Sequence, residues 1–145
     1  MNTFIRLTAG ALIVAGLAFS SANAAETAFK AVLSTGAEVP PGTGDSKGMA
    51  EFTLNEETKE ISWKVTFEGL TGDAIAAHIH GPADKGANAG VVVGLGPQGQ
   101  ALPSPLEGKA ALTDEQIADL KAGKHYVNIH TLANKAGEIR GQIAP

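Results

Sequence analysis

The chain has 145 residues, with 11 Lys and Arg against 15 Asp and Glu, and no cysteine. That length holds one domain and a short targeting segment. A formal charge of −4 leaves no basic surface to follow a phosphate backbone, which excludes nucleic acid as a partner. The missing thiols exclude disulfides, thiolate metal sites, cysteine nucleophiles and cysteine-linked lipid.

The first residues, MNTFIRLTAGALIVAGLAFSSANAAE, carry one early cation, Arg6, and then an apolar run over residues 7–19 broken only by Thr8. Ala22-Asn23-Ala24 supplies small residues at a cleavage position, so residues 1–24 read as a secretory signal peptide. The run is too short for a membrane-spanning helix, which needs roughly 20 apolar residues. The expected mature chain is residues 25–145, with Arg6 removed and a net charge of −5. Export without a lipid anchor places it in the periplasm or outside the cell, with no membrane span after cleavage.

Phe29, Ala31 and Leu33 alternate with polar or exposed positions and predict a first strand; Pro40-Pro41-Gly42 then breaks the chain. Ala50, Phe52 and Leu54 alternate with Glu51 and Thr53. Ile61, Trp63, Val65 and Phe67 alternate with Ser62, Lys64 and Thr66. Period two means one buried and one wet face. The polar connector at residues 55–59 makes the two strands an antiparallel hairpin. Further strands are expected at residues 75–80, 91–95, 126–132 and 138–143, with residues 96–105 as a long loop. Thr113 as N-cap with Gln116 three residues on, followed by Ile117, Leu120 and Gly123, predicts one short helix. About seven strands and one helix make an all-β fold, an antiparallel β-sandwich or a partly closed barrel.

Chemistry concentrates in the histidines. Only His78, His80, His125 and His130 occur. On a strand, His78 and His80 point to one side while Ile75, Ala77 and Ile79 take the core. On residues 126–132, Val127 and Ile129 take the core and Tyr126, Asn128 and His130 the other side; His125 falls with Val127. In the last strand Ile139 and Ile143 oppose Glu138, Arg140 and Gln142. If these three strands are neighbours, His78, His80 and His130 converge with Glu138 and Arg140 close by, His130 and Glu138 sharing a face. A short echo, His78–Lys85 against Asn128–Lys135, superposes His80 on His130. Three neutral imidazoles suit a divalent transition metal, Cu with Zn as the alternative, and leave a coordination position open. Asn128 is placed to orient a ligand. The alternative is that the imidazoles hydrogen-bond loops and hold no metal.

Other groups read as structural. Glu38 is placed to pair with Arg140. Glu138 and Arg140 read as a sheet edge whose register an Arg–carboxylate pair fixes. Asp84, Lys85, Asn88 and Gly90 form a polar loop with oxygen ligands for calcium but no recognised spacing. No nucleophile has a base in reach, Ser104 lying between two prolines, and no nucleotide-binding loop occurs.

Four blocks resemble a known family: residues 31–41 (AVLSTGAEVPP), 76–83 (AAHIHGPA), 126–131 (YVNIHT) and 137–143 (GEIRGQI) are similar to the CHRD (chordin-type) domain, in the family's order and over nearly all of the mature chain. The resemblance implies a β-rich extracellular module. In chordin such modules are repeated in an antagonist of bone morphogenetic proteins; in bacteria the domain often stands alone behind a signal peptide. The His-x-His strand also resembles the copper-ligating strand of copper/zinc superoxide dismutase, a β-sandwich. This chain has fewer histidines than that enzyme uses and none of its disulfide, which leaves dismutase-like redox activity a minor reading. The expectation is therefore an exported, non-enzymatic CHRD module of immunoglobulin- or superoxide-dismutase-like shape, binding a metal through His78, His80 and His130. The competing expectation is a metal-free module that binds an envelope or extracellular protein.

Overall fold

The computed structural model describes residues 25–145; the expected signal peptide lies outside the described residues. The strands are β1 Glu26–Ser34, β2 Lys47–Asn55, β3 Glu60–Glu68, β4 Ala74–His80, β5 Val91–Gly94, β6 Leu106–Ala111, β7 Tyr126–Thr131 and β8 Ile139–Gln142. One helix, α1 Asp114–Lys121, lies between β6 and β7. The fold is all-β with one short helix, and its ladders are antiparallel throughout.

Local chemistry explains the expected elements. In the β2–β3 hairpin, Asn55 Oδ1 accepts from the backbone of Glu57 and Thr58 at 3.1 and 2.9 Å, closing the turn. The turn delivers Asn55 opposite Glu60, which sets Phe52 opposite Trp63 and Leu54 opposite Ile61. Thr113 caps α1 in a capping box with Gln116. Gly123 ends the helix at φ +71°, the left-handed region glycine enters without penalty.

The strands form one sheet in the order β5-β4-β7-β8-β1-β2-β3-β6. It curls until it is nearly closed, because one core serves both ends. Leu95 and Leu102 beyond β5 lie in the same cluster as Leu106 of β6, and Gly96 packs against the latter two. Phe29, Leu33, Phe52, Ile61, Val127, Ile129 and Ile139 fill the middle. Two four-stranded halves meet at β8 and β1. There the ladder narrows to Ser34 opposite Arg140 and a bridge between Lys30 and Ala144, whose backbones exchange bonds of 2.7 and 2.9 Å.

Three expectations are corrected. β8 is no sheet edge: it lies between β7 and β1. Ile75 does not join the core; the β4–β7 register shifts between Ala74 and Ala76, which leaves it half-buried at the irregularity. The loop expected at residues 96–105 is followed by an eighth strand, β6. Its inward residues after Leu106 are Gly108, opposite Trp63, and Ala110, opposite Ile61. The indole fills the space over Gly108, where a Cβ would stand 2.6 Å from Trp63 Cζ2. Such small residues give the strand almost no hydrophobic alternation.

The seam between the halves depends on Gly141. A Cβ there would stand 2.3 Å from the Val32 carbonyl oxygen, a backbone atom that cannot rotate away. Gly141→Ala should cost about 2 kcal/mol through overpacking. Urea unfolding checks it: an unchanged midpoint would mean the seam opens without cost.

Candidate metal centre

β4, β7 and β8 are consecutive in the sheet, and the register sets His78 opposite Asn128, Asn128 opposite Arg140, and His80 opposite Tyr126. Strand parity therefore carries His78, His80 and His130 to one face, with Val127, Ile129, Ala77 and Ile79 on the core side. The three imidazoles meet: their ring centroids are 5.0, 5.5 and 6.0 Å apart in pairs. One ligand atom from each lies within 4.8 Å of the others, a grouping that can hold a metal ion. His125, as alternation predicts, stays apart, 1% exposed on the core side with Gly81 against its ring.

The hydrogen bonds fix where the protons sit. His80 Nδ1 lies 3.0 Å from the Ala89 carbonyl and His130 Nδ1 lies 2.9 Å from the Lys135 carbonyl. A carbonyl only accepts, so both Nδ1 atoms carry hydrogen and both Nε2 atoms keep a lone pair. His80 Nε2 is buried with no hydrogen-bond partner. His130 Nε2 lies 3.1 Å from His78 Nδ1 and must accept from it, which makes His78 Nε2 the acceptor for the Gln98 side-chain amide at 3.1 Å. Two nitrogens bound to one tetrahedral ion at roughly 2.0–2.1 Å stand about 3.3 Å apart, close to the spacing of His78 and His130. To present Nδ1 to an ion, His78 would have to carry its proton on Nε2, where the Gln98 side chain, with its amide turned, could accept it.

Burial drives the pKa of each of the three histidines down, that of His78 to about 4, with the neighbouring imidazoles adding to the effect there. All three are thus neutral near pH 7, the form that coordinates. An unfolded histidine titrates near 6.5. Between 6.5 and 4 the unfolded chain binds more protons than the folded one, so the stability held above 6.5 is lost as pH falls through that window. His78 should account for a loss on the order of 2 kcal/mol after allowance for its partial solvation. Glu38 acts oppositely: burial raises its carboxyl to about 7 against the pull of Asn128 and Arg140, so its contribution is present below 4.5 and fades as pH rises through 7. Urea midpoints of the wild type should rise from pH 4.5 to 6.5, and those of His78→Gln should rise less. Identical slopes would remove His78 from the linkage.

The flanking residues differ from expectation. Glu138 does not join the ligand grouping: it accepts from Ser46, Thr71, Thr131 and Asn134 at distances of 2.7 to 3.1 Å. It does not pair with Arg140. Arg140, 2% exposed, instead donates to Asn88 Oδ1 at 2.9 Å and the Ala87 carbonyl at 2.6 Å, and lies 3.5 Å over the Tyr126 ring. Glu38 does not ion-pair with it either. Glu38 accepts from Asn128, which also donates to the Ile139 carbonyl, so Asn128 orients no histidine. In the loop read for calcium, Asp84 pairs with Lys124 and Asn88 bridges Arg140 and Val39. Among the described residues the only grouping of potential ligands is the histidine one.

Sequence reasoning missed Gln98, the carbonyls of Ala89 and Lys135, and the stacking of His80 on Tyr126 at 5.0 Å and 6°. Backbone carbonyls carry no sequence signal. The stacking was open to inference, since His80 and Tyr126 share a face on adjacent strands.

Compared with known proteins, residues 29–143 match the model of the CHRD domain family. No curated protein matches the chain, and no solved structure does. No helix of the described residues is long and apolar enough to cross a membrane.

Proposed function

The chain belongs to the CHRD domain family, and from that premise we propose that it is an exported module that binds one transition-metal ion, copper in preference to zinc, through His78, His80 and His130. One observation carries the reading: His80 Nε2 is a buried lone pair without a hydrogen-bond partner, beside two further imidazoles whose ligand atoms lie within 4.8 Å. An unsatisfied buried nitrogen costs about 1–3 kcal/mol, and a bound cation removes that cost. Three neutral nitrogen donors without a thiolate favour copper by the divalent affinity order. The signal-like residues 1–24 support export. The role proposed for the site is binding or buffering of the metal rather than catalysis.

Calorimetric titration with Cu(II), repeated with Zn(II), tests the reading at pH 7.5. It expects one equivalent of copper bound, and zinc bound more weakly. No heat above dilution with either ion would leave the metal-free interaction module as the reading of this chain.

A further inference from the structure

Two loops close over the histidines. The one between β4 and β5 supplies the Ala89 carbonyl that holds the His80 proton on Nδ1. The one between β7 and β8 supplies the Lys135 carbonyl that does the same for His130. Neither loop has regular structure of its own, and each is tied down by one buried charge from the segment Glu138-Ile139-Arg140.

Arg140 holds the first loop. Its guanidinium donates to Ala87 and Asn88, immediately before Ala89, and lies on the Tyr126 ring. Tyr126 completes the grip: its hydroxyl accepts from the Ala89 N–H at 3.1 Å and approaches the Ala89 carbonyl at 3.3 Å. Asn88 in turn donates to the Val39 carbonyl. A buried arginine normally answers a carboxylate; this one answers a carbonyl and an amide of a single loop.

Glu138 holds the second. It accepts from Thr131 Oγ1 at 2.7 Å and Asn134 Nδ2 at 3.1 Å, the residues that open and turn the loop. Thr131 Oγ1 accepts from the Asn134 N–H, and Gly137 N–H donates to the Asn134 carbonyl, so the turn carrying Lys135 is closed from both ends.

We propose that Glu138 and Arg140 are positioning residues of the histidine centre: each locks the loop whose carbonyl fixes one ligand's tautomer, Arg140 for His80 and Glu138 for His130. The proposal rests on the metal-binding reading for its purpose, while the tautomers exist in the metal-free protein and are measured there. A histidine that exchanges its proton between the two nitrogens offers its Nε2 lone pair for only part of the time. Partners that hold a ligating histidine in place are worth about 10- to 100-fold in metal affinity.

The test is nitrogen NMR of the imidazoles in metal-free protein, with Cu(II) affinity measured alongside by chelator competition. The variants are Arg140→Gln, the exposed Asn88→Ala, which removes one Arg140 acceptor at little risk to folding, and Asn134→Ala, which removes one of the two Glu138 contacts to the second loop. Asn88→Ala and Arg140→Gln should mix the tautomers of His80 and leave His130 on Nδ1–H. Asn134→Ala should do the reverse. Each should weaken Cu(II) about 10- to 100-fold in protein that melts cooperatively. If Arg140→Gln does not fold, Asn88→Ala decides for its loop. Folded variants that keep single Nδ1–H tautomers at both histidines overturn the proposal. A wild type with fixed tautomers that takes up no Cu(II) overturns the metal reading and leaves the positioning role standing on the NMR result.

Discussion

His80→Ala should lower the affinity for Cu(II) by at least about 100-fold, or about 2.7 kcal/mol. The variant removes, among the three clustered imidazoles, the one whose Nε2 has no hydrogen-bond partner. In the wild type, copper at a hundredfold excess over Kd should raise stability by about 2.7 kcal/mol. For a domain of this size that is a rise of roughly 10 °C in Tm. In His80→Ala the stabilisation at the same copper concentration should fall to about 0.4 kcal/mol or less, a rise of no more than roughly 2 °C. Without metal the two proteins should melt within a few degrees of each other, because the lost stacking on Tyr126 is offset by removal of an unsatisfied nitrogen. Calorimetry and thermal melts check both halves. A copper-induced rise of wild-type size in His80→Ala would place the ion elsewhere.

Glu138→Ala should cost about 4 kcal/mol, measured by urea unfolding at pH 7. Glu138 is 3% exposed, and its carboxylate accepts from two threonine hydroxyls, a serine hydroxyl, an amide and the Thr71 backbone. Removing the acceptor takes a partner from buried Ser46 and Thr131 and from Thr71 and Asn134, which reach solvent, and breaking a network with a buried side is costlier than losing one bond. Glu138→Gln should cost about half as much, since one oxygen remains while the new amide hydrogens face donors. Burial alone would raise the Glu138 carboxyl, but the bonds from Thr131, Thr71 and Ser46 hold it at about 2. Its contribution is present above pH 4.5 and is lost as pH falls through 2, below the window in which the histidines act. An unfolding midpoint in Glu138→Ala equal to the wild type would show that the network is satisfied by water.

The side on which the histidines project was readable from parity; the adjacency of β4 and β7 that brings them together was not. His78, His80 and His130 lie on strands whose isoleucines and valines take the core, so the imidazoles had only one side left. The hairpin of β2 and β3 and the cap of α1 were readable for the same kind of reason: alternation and capping are local. What failed depended on distant partners. Glu138 and Arg140 stand two residues apart with opposite charges and invite pairing. Each finds stronger company in a different loop, which no spacing within Gly137–Gly141 records. β6 escaped because Trp63, a residue of another strand, fills the space that a large side chain at Gly108 would need, and the next inward residue, Ala110, is small. Ile75 left the core because of a register shift, and strict alternation has no means of marking one.

Counting the imidazole nitrogens around a copper ion bound to the whole domain addresses the central claim most directly. X-ray absorption or pulsed electron paramagnetic resonance on protein loaded with one equivalent of Cu(II) makes that count. The account predicts three imidazoles at roughly 2.0 Å, falling to two in His130→Ala. Copper held by a single imidazole, or a spectrum the same in His130→Ala as in the wild type, would contradict it.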